Sequence, residues 1–510
     1  MKVCSSSPRV RFAWRSYAVL LAGLCVLLWL SNTAEANPCP DASCGNLTTV
    51  IPVGAQYMSL ALDDNDRPVV AYAAASGLGL LHCGNPACSD GNTNSTLGMD
   101  GQYTSLRLDG AGFPVIAYYS ASGGDLSVVH CNDQSCAGGD ESLSSPDVEG
   151  DVGRYSSLAL DAAGRPVMGY LDSTNSDLKV LHCGDPNCAS GNSIVSPDTA
   201  GFVGEWTSLE LDGAGNPVVA YHDDASNDLK LLHCNDPNCG SGGDSIVTPD
   251  SDGDVGSYTS LEIDSAGRPV VSYRDVSHFD LRVLRCGNAT CTSGNAISAP
   301  DYGGAVGSFS SLTLDSVNNP VLSYWDASHS RLKVLHCGDP VCSAGNAVAA
   351  PDDDLSSTAP LGQFTSIALD SSERPVVAYT RTSGVGLGIL RCIDDDCAAD
   401  DLDGDGCQDV QEIMTAPGTE VGGGLRDPKN PWDYFNPTGD GQNRLDDILA
   451  VVAQYGEDET LPSDVPNPAY TSSTDRTYLG PDPWNLGPPN GRQNVADIIA
   501  ARNSFIHDCF

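Results

Sequence analysis

The sequence predicts an all-β fold, because one unit recurs seven times and each copy has the pattern of several short strands. The copies begin at intervals of about 50 residues, at an aromatic residue two positions before Ser-Leu or Ser-Ile. These aromatic residues are Tyr57, Tyr103, Tyr155, Trp206, Tyr258, Phe309 and Phe364. No helical periodicity of useful length occurs before residue 400. Four strands in a repeat of this length are typical of a β-propeller blade, so seven four-stranded blades are predicted.

The fourth copy shows the four predicted strands in order. The first is WTSLELD, in which Leu209 and Leu211 alternate with polar residues. The turns GAGN and ASN then separate PVVAYHD and DLKLLHC, two runs rich in Val, Leu and Tyr. A fourth β-prone run, within GSGGDSIVTPD, follows Cys239.

The ends of the repeat predict how the ring closes. The seventh copy stops at Cys397 without a fourth strand. The fragment CPDASCGNLTTVIPV, near the predicted mature N-terminus, contains a cysteine pair and a fourth strand without the first three strands of a copy before them. We therefore expect residues 46–53 to complete blade seven, which leaves no sheet edge exposed at the seam.

The start of the chain has the features of a secretory signal. A basic segment and a short apolar run precede an Ala-x-Ala cleavage site at 34–36. The predicted organisation is a signal peptide over 1–36, a propeller over 37–398 and a C-terminal module over 399–510. We expect the protein to be secreted or on the cell surface, with no membrane span in the mature chain. The net charge of −42 argues against nucleic acid as a partner.

The cysteines predict a set of structural disulfides. Sixteen of them form Cys-x4-Cys pairs, and an even number in an exported chain favours disulfides. Zinc is the alternative, since a His often precedes the first Cys, but Arg285 and Arg391 replace this His in two copies. The predicted pairs are Cys39–Cys44, Cys83–Cys88, Cys131–Cys136, Cys183–Cys188, Cys234–Cys239, Cys286–Cys291, Cys337–Cys342 and Cys392–Cys397. Cys407 and Cys509, which bracket the C-terminal module, are predicted to pair with each other.

One face of the ring is predicted to carry the binding site. The loops that enter the first strands share this face with the loops between second and third strands, where the copies stop agreeing. The candidate ligand-binding residues on this rim are Tyr119, His222, Asp223, Arg274, Asp275, Trp325 and Asp326. The alternative is that these solvent-facing positions vary without a function, and that the Asp residues only cap turns by accepting hydrogen bonds from nearby backbone N–H groups.

The segment DLDGDGCQDVQE has the spacing of an EF-hand calcium loop. Oxygen ligands are expected at positions 1, 3, 5, 7, 9 and 12, with Gly at position 6 and a backbone carbonyl as the ligand at position 7. The residues at the ligand positions are Asp401, Asp403, Asp405, Cys407, Asp409 and Glu412. Calcium is therefore the predicted cofactor, and an acidic linker is the alternative.

Two later segments, GDGQNRLDDILAVVAQYG and PNGRQNVADIIAARNSF, repeat a loop followed by an amphipathic helix. This duplication resembles dockerin modules, and the resemblance implies a small, mostly α module that binds a cohesin-like partner. A weaker second metal loop would use Asn436, Thr438, Asp440 and Asp447. The whole chain resembles bacterial secreted seven-bladed β-propeller repeat proteins with a C-terminal dockerin-like or EF-hand-like calcium module.

These features predict a secreted or cell-surface binding protein that recognises a polysaccharide or a cell-surface protein and has a calcium-stabilised C-terminal tether. Two alternatives stay open. The first is an extracellular glycan-cleaving enzyme, sialidase- or lyase-like, that uses carboxylates on the rim. An acid–base pair with shifted pKa values at the ring mouth would favour it. The second alternative is a structural surface protein.

Overall fold

The computed structural model describes residues 47–51, 54–351, 362–381, 386–392 and 394–397, and two short strands further along the chain. Residues Asn46–Asp400 form one unit. Its described elements are strands, arranged in seven four-stranded antiparallel sheets. The predicted seven-bladed β-propeller with four-stranded blades is thereby confirmed. No helix in the described ranges is long and apolar enough to cross a membrane.

Each of the first six blades uses its strands in chain order, from the propeller axis to the circumference. The innermost strands are β2 (Gln56–Leu62), β6 (Gly101–Leu108), β10 (Val152–Leu160), β14 (Val203–Leu211), β18 (Val255–Ile263), β22 (Ser308–Leu314) and β26 (Gln363–Leu369). The second strands are β3 (Pro68–Ala74), β7 (Pro114–Ser120), β11 (Pro166–Asp172), β15 (Pro217–Asp223), β19 (Pro269–Asp275), β23 (Pro320–Asp326) and β27 (Pro375–Arg381).

The third strands are β4 (Gly77–His82), β8 (Asp125–His130), β12 (Asp177–His182), β16 (Asp228–His233), β20 (Asp280–Arg285), β24 (Arg331–His336) and β28 (Gly386–Arg391). The outer strands are β1 (Leu47–Ile51), β5 (Thr93–Thr96), β9 (Ser142–Asp147), β13 (Ser193–Asp198), β17 (Ser245–Asp250), β21 (Ala296–Asp301) and β25 (Ala347–Ala349). Two further strands, β29 (Thr477–Tyr478) and β30 (Leu486–Gly487), pair with each other outside this unit.

The N-terminal strand closes the ring, as the sequence predicts. β1 pairs with β28, with Leu47 opposite Arg391 and Ile51 opposite Leu387, so blade seven has the order β1-β28-β27-β26. Blade seven is therefore built from both ends of the repeat region.

The aromatic-x-Ser-Leu motif joins neighbouring innermost strands. In blade three the Leu158 N–H donates to Ser105 Oγ of blade two at 3.0 Å, and Ser156 Oγ donates to the Tyr103 carbonyl at 2.8 Å. The bond from the Leu or Ile N–H to Ser Oγ recurs between the other blades. A bond of 2.9 Å from the Leu60 N–H to Ser366 Oγ joins the first blade to the last. The motif therefore bonds blade to blade around the axis.

The hydrophobic core lies between blades. One cluster packs Leu158 and Met168 of blade three against Val115, Ala117 and Leu126 of blade two, all of them fully buried. Six similar clusters fill the other blade interfaces. Each blade thus buries both of its faces against its neighbours, as a propeller requires.

The repeated Asp at the end of the first strand binds the repeated His at the end of the third strand. His182 Nε2 lies 3.0 Å from Asp161 Oδ2, and its Nδ1 lies 2.9 Å from Asn238 Oδ1 in the disulfide loop of the next blade. Where Arg285 replaces the His, its Nη2 donates to Asp264 at 2.6 Å and its Nη1 also reaches the next blade. His and Arg therefore make the same bridge between blades, which explains why either residue occurs at this position of the repeat.

Seven of the predicted disulfides are present in the described ranges and are confirmed. They are Cys83–Cys88, Cys131–Cys136, Cys183–Cys188, Cys234–Cys239, Cys286–Cys291, Cys337–Cys342 and Cys392–Cys397. The zinc alternative is wrong for these pairs, since their sulfurs are bonded to each other. Cys39–Cys44 and Cys407–Cys509 lie outside the described residues.

We expect the bridge at Asp161 to make stability depend on pH in acid. Burial raises the pKa of the Asp161 carboxyl, but hydrogen bonds from Arg165, the backbone and His182 outweigh it and lower the pKa to about 2 from a usual value of 3.8. A lowered pKa stabilises the fold above pH 3.8, and this stabilisation is lost as the pH falls through about 2.

Asp161→Asn should therefore lower the free energy of unfolding by about 2 kcal/mol at neutral pH. The difference from wild type should narrow steadily below pH 3.8. Urea unfolding at a series of pH values measures it, with Asp64→Asn, an exposed carboxylate next to the equivalent turn of blade one, as the matched control. A difference that does not change with pH would contradict the ion-pair origin of this stabilisation.

Candidate functional site at the mouth of the central channel

The strand registers fix which loops share a face. Val152, at the start of β10, pairs with Asp172 at the end of β11, whereas Leu160 pairs with Pro166 at the other end. The loops that enter the first strands therefore lie beside the turns between second and third strands, on what we call the upper face. The disulfide loops and the Asp161-type turns lie on the opposite face. This is the arrangement that the strand order predicts.

Seven aromatic side chains form a closed ring around the axis, which we call the collar. Its members are Tyr57, Tyr103, Tyr155, Trp206, Tyr258, Phe309 and Phe364. Neighbouring ring centroids are 4.0 to 4.9 Å apart all the way round. Each ring is tilted or edge-on to the next, the arrangements that aromatic quadrupoles favour. All seven side chains are half-buried.

A backbone irregularity turns each aromatic side chain towards the axis. Tyr155 lies at a register shift between Arg154 and Ser157, and its φ of 55° is in the left-handed region. The other collar residues have φ values between 49° and 57°. Non-glycine residues adopt this conformation rarely, and bulges of this kind redirect a side chain. The same backbone conformation therefore places an aromatic side chain in the collar from each of the seven blades.

Polar side chains surround the collar on blades two and three. Tyr119 packs against collar residue Tyr103 with ring centroids 6.3 Å apart. Arg154 lies over the Tyr119 ring, with 5.0 Å from Cζ to the centroid, and its Nη2 lies 3.3 Å from the Tyr119 hydroxyl. Arg154 also pairs with Asp151 at 3.1 Å. The predicted residue Tyr119 is therefore held at the edge of the collar.

Two other predicted residues, Arg274 on blade five and Trp325 on blade six, both lie next to Ser308. Arg274 Nη1 donates to Ser308 Oγ at 2.6 Å, and Ser308 pairs with Trp325 across β22 and β23. The Trp325 ring lies 6.2 Å from collar residue Phe309. Arg274 Nε and Trp325 Nε1 are buried donors without a hydrogen-bond partner among the described residues. Buried donors of this kind are uncommon in folded proteins and need an acceptor.

The predicted residue His222 lies at the edge of the collar on blade four, beside Glu205. The two residues face each other across β14 and β15, and Asp224 is the first residue after β15. Burial, and then the charge of Asp224, raise the pKa of the Glu205 carboxyl, while His222 opposes this rise. Burial and then the charge of Glu205 raise the pKa of collar residue Tyr155 to about 12. Glu205, which no sequence pattern singles out, is therefore a candidate proton donor.

Charged groups also lie in the channel beyond the collar, at the variable position of Ser-Leu-x-Leu-Asp. Arg107 Nη2 pairs with Glu210 Oε1 at 2.6 Å across the ring. Burial, and then the charge of Glu210, raise the pKa of Glu262 well above its usual range, while Arg107 lowers it. Three blades thus contribute one ionic cluster to the channel interior.

The predicted carboxylates Asp223, Asp275 and Asp326, with Asp172, lie behind this rim and are almost fully buried. In blade four, Asp223 Oδ1 accepts the Ala225 N–H at 3.0 Å and Oδ2 pairs with Lys230 Nζ at 2.8 Å. Lys230 Nζ also lies 3.0 Å from Asp198, at the end of the outer strand of blade three, and Asp198 accepts the Tyr221 hydroxyl at 2.7 Å. This is the geometry of the turn-capping alternative, and a ligand-binding role of these carboxylates stays a prediction.

A basic partner explains why the Asp at the end of the second strand (Asp172, Asp223, Asp275 and Asp326) occurs in only four of the seven copies. The copies with the Asp are those with a basic residue on the third strand, namely Lys179, Lys230, Arg282 and Lys333. Copies one and seven have Gly79 and Gly388 at that position, and a Cβ on Gly79 would lie 2.3 Å from the Tyr72 ring. The tyrosine ring fills the space there, so neither cation nor carboxylate is needed.

The structure brings Tyr119, His222, Arg274 and Trp325 to the edge of one aromatic collar. The collar itself was visible in the sequence only as the marker of the repeat, since alternation gives no sign of the bulge that turns it inward. The predicted calcium ligands at 401–412 and 436–447 lie outside the described residues.

Comparisons with known proteins find distant structural neighbours and no family. No family model matches the sequence, and no curated protein matches it. A protein of unknown function from Dyadobacter fermentans DSM 18053 is similar in structure at 15% identity and a TM-score of 0.41, over 69% of this chain and 100% of that one. The polysaccharide lyase Uly1 is similar at 7% identity and a TM-score of 0.43, over 65% of this chain and 89% of that one. A polysaccharide lyase of family PL25, an ulvan lyase, is similar at 10% identity and a TM-score of 0.41, over 68% of this chain and 96% of that one. Scores this low carry no argument about activity.

Proposed function

We propose that the propeller binds an extracellular polysaccharide at the mouth of its central channel. The observation that carries the proposal is the aromatic collar with Tyr119, Arg274 and Trp325 at its edge. Small-molecule sites combine aromatic surface with a few well-placed polar groups, and a sugar ring offers an apolar face and hydroxyl groups to match both. The seven disulfides are consistent with an extracellular protein.

The Arg274 guanidinium favours an acidic glycan. Its Nη1 donates to Ser308 Oγ, whereas Arg274 Nε and Trp325 Nε1 are buried atoms that a ligand oxygen would reach only after the side chains turn outward. The contacts of Arg274 with described residues are to Ser308 and to the Phe279 ring, 5.7 Å away, and none is an ion pair, although the protein has a net charge of −42. A cation kept free of protein carboxylates at a binding face suits a uronate or sulfate group on the ligand.

We expect the full-length protein to bind selectively on a panel of neutral and acidic polysaccharides. Arg274→Ala and Trp325→Ala should each weaken this binding at least about tenfold, as residues at the centre of a binding site usually do. Val317→Ala is the matched control, since Val317 is 65% exposed and lies in the turn that Asp315 caps, on the face opposite the proposed site. Affinity electrophoresis or calorimetry measures the change. Binding that survives both rim substitutions, or no binding at all, would contradict the proposal.

Cleavage of the bound glycan is a second candidate function, and one observation favours it. Glu205 has a raised pKa beside His222 and Tyr155, which is the kind of pair that acid–base catalysis uses. Polysaccharides retained in the binding screen would be incubated with wild type and with Glu205→Gln. Fragments formed by wild type and absent with Glu205→Gln would establish an enzyme, and intact glycan with both would leave a binding protein.

We further propose that the 401–412 loop binds calcium and that the C-terminal module tethers the propeller to a cohesin-like partner. Support comes from the oxygen donors at the EF-hand positions and from the duplicated loop–helix segments. A protein of this kind would be held at a surface by one end and bind glycan with the other.

A further inference from the structure

Three side chains at the mouth of the channel have the donor set of a transition-metal site. Glu205 on β14, His222 on β15 and Asp224 each offer one ligand atom, and these three atoms lie within 4.8 Å of one another. The strand register sets Glu205 opposite His222, and the Asp224 N–H is held by the Phe202 carbonyl at 2.9 Å. Ligand atoms around a tetrahedral zinc ion are about 3.4 Å apart, so small side-chain movements suffice to bind one ion.

The buried imidazole of His222 is oriented in the way that metal-binding histidines are. The residue is only 3% exposed, and Nδ1 lies 2.9 Å from the Val255 carbonyl on blade five. A carbonyl only accepts hydrogen bonds, so Nδ1 carries a proton and donates it. Nε2 makes no hydrogen bond to any described residue, and in the neutral ring it holds a free lone pair. A backbone carbonyl that fixes the second nitrogen is the usual outer partner of a metal-bound histidine.

The two carboxylates that complete the site differ in their burial. Glu205 is half-buried beside the collar, whereas Asp224 is exposed on the upper face. When both carboxylates are ionised they repel each other, and a divalent cation between them would remove that repulsion. With the ion bound, Glu205 would be a ligand and not a proton donor, and three protein ligands would leave the fourth position of a tetrahedral site open.

We propose that Glu205, His222 and Asp224 bind one divalent transition-metal ion, with Zn²⁺ as the best match. An imidazole suits zinc and its neighbours, whereas calcium and magnesium prefer oxygen ligands alone. The metal site stands independently of the proposed glycan binding, because its test measures the metal and not the glycan.

A second cluster shows by contrast what a structural histidine looks like. His336, Asp395 and Asp396 are also close together, but both nitrogens of His336 are in use. Nε2 lies 3.2 Å from Asp315 and Nδ1 lies 2.9 Å from Asp396. No lone pair is left for a metal, so His336 supplies the matched control.

The experiment uses the full chain, stripped of metal with a chelator and titrated with Zn²⁺ by calorimetry in excess Ca²⁺. The calcium occupies sites made only of oxygen, including the predicted C-terminal loop. We expect Asp224→Asn and His222→Asn to weaken Zn²⁺ binding at least about 100-fold, since losing even an outer partner of a ligand costs 10- to 100-fold. Asn at 222 keeps a donor for the Val255 carbonyl but fills less of the buried space of the imidazole, whereas Asp224 is exposed and Asp224→Asn leaves the buried packing intact.

Three results would each overturn the proposal. They are no Zn²⁺ binding by wild type under these conditions, binding that both variants retain, and binding lost in His336→Gln instead. Titration with Co²⁺ gives an independent readout, because its visible absorption reports the ligands directly. Wild type should give a spectrum of nitrogen and oxygen coordination that Asp224→Asn lacks and His336→Gln retains.

Discussion

Lys230→Met is expected to lower the free energy of unfolding by about 3–5 kcal/mol, the range seen when one partner of a buried ion pair is removed. Lys230 Nζ lies between Asp223 at 2.8 Å and Asp198 at 3.0 Å, and both carboxylates are about 5% exposed. Without the ammonium group these two carboxylates are left buried close together with no cation between them. Chemical denaturation followed by near-UV circular dichroism measures the loss.

A double-mutant cycle separates this effect from lost packing. In the Asp223→Ala background, one of the two carboxylates is gone, so Lys230→Met should cost less than it does in wild type by about 0.5–3 kcal/mol. Equal costs in the two backgrounds would show that Lys230 acts only through its aliphatic stem. The cycle also matters for binding studies, because a change at Asp223 that unfolds the blade would be mistaken for a lost ligand contact.

Removal of β1 is expected to have the second large effect. β1 supplies the outer strand of blade seven, and its loss leaves the edge of β28 unpaired over five residue positions. An exposed strand edge lowers stability and promotes association with other chains. A chain that begins after residue 53 should therefore unfold at a temperature lower by roughly 5 °C or more and should aggregate, on the scale by which a few kcal/mol shifts a large domain.

A synthetic peptide with the sequence LTTVI and its neighbours should restore part of the lost stability. The peptide would pair with β28 as β1 does, and a scrambled peptide of the same composition is the control. Scanning calorimetry with increasing peptide measures the recovery. If the shortened chain is as stable as the full one, closure of the ring owes little to β1.

Much of this fold follows from local chemistry that recurs seven times. Turn residues, alternation and the split seventh copy define the blades and the closing strand, since each depends only on residues close in sequence or on the count of strands. The faces also follow, because strand order alone places the loops. The Asp and the His of the bridge, such as Asp161 and His182, recur in the sequence. Their partner on the next blade, Asn238, is shown only by the structure.

The candidate site was predicted less completely, for physical reasons that particular residues illustrate. Asp223 looks like a variable rim residue, yet its side chain points into the blade interface, where Lys230 neutralises it. That pairing depends on the registry of two strands and on the preceding blade. Glu205 has no distinctive sequence neighbour, and its raised pKa comes first from burial, which only the assembled ring provides, and then from the charge of Asp224.

The collar bears on how the proposed polysaccharide would approach the protein. Seven tilted rings with neighbouring centroids 4.0 to 4.9 Å apart line the mouth of the channel. A polysaccharide bound as we propose would meet these rings from the upper face, with its chain running across the mouth. Binding of that kind would use an internal stretch of the polymer and would not need a free end.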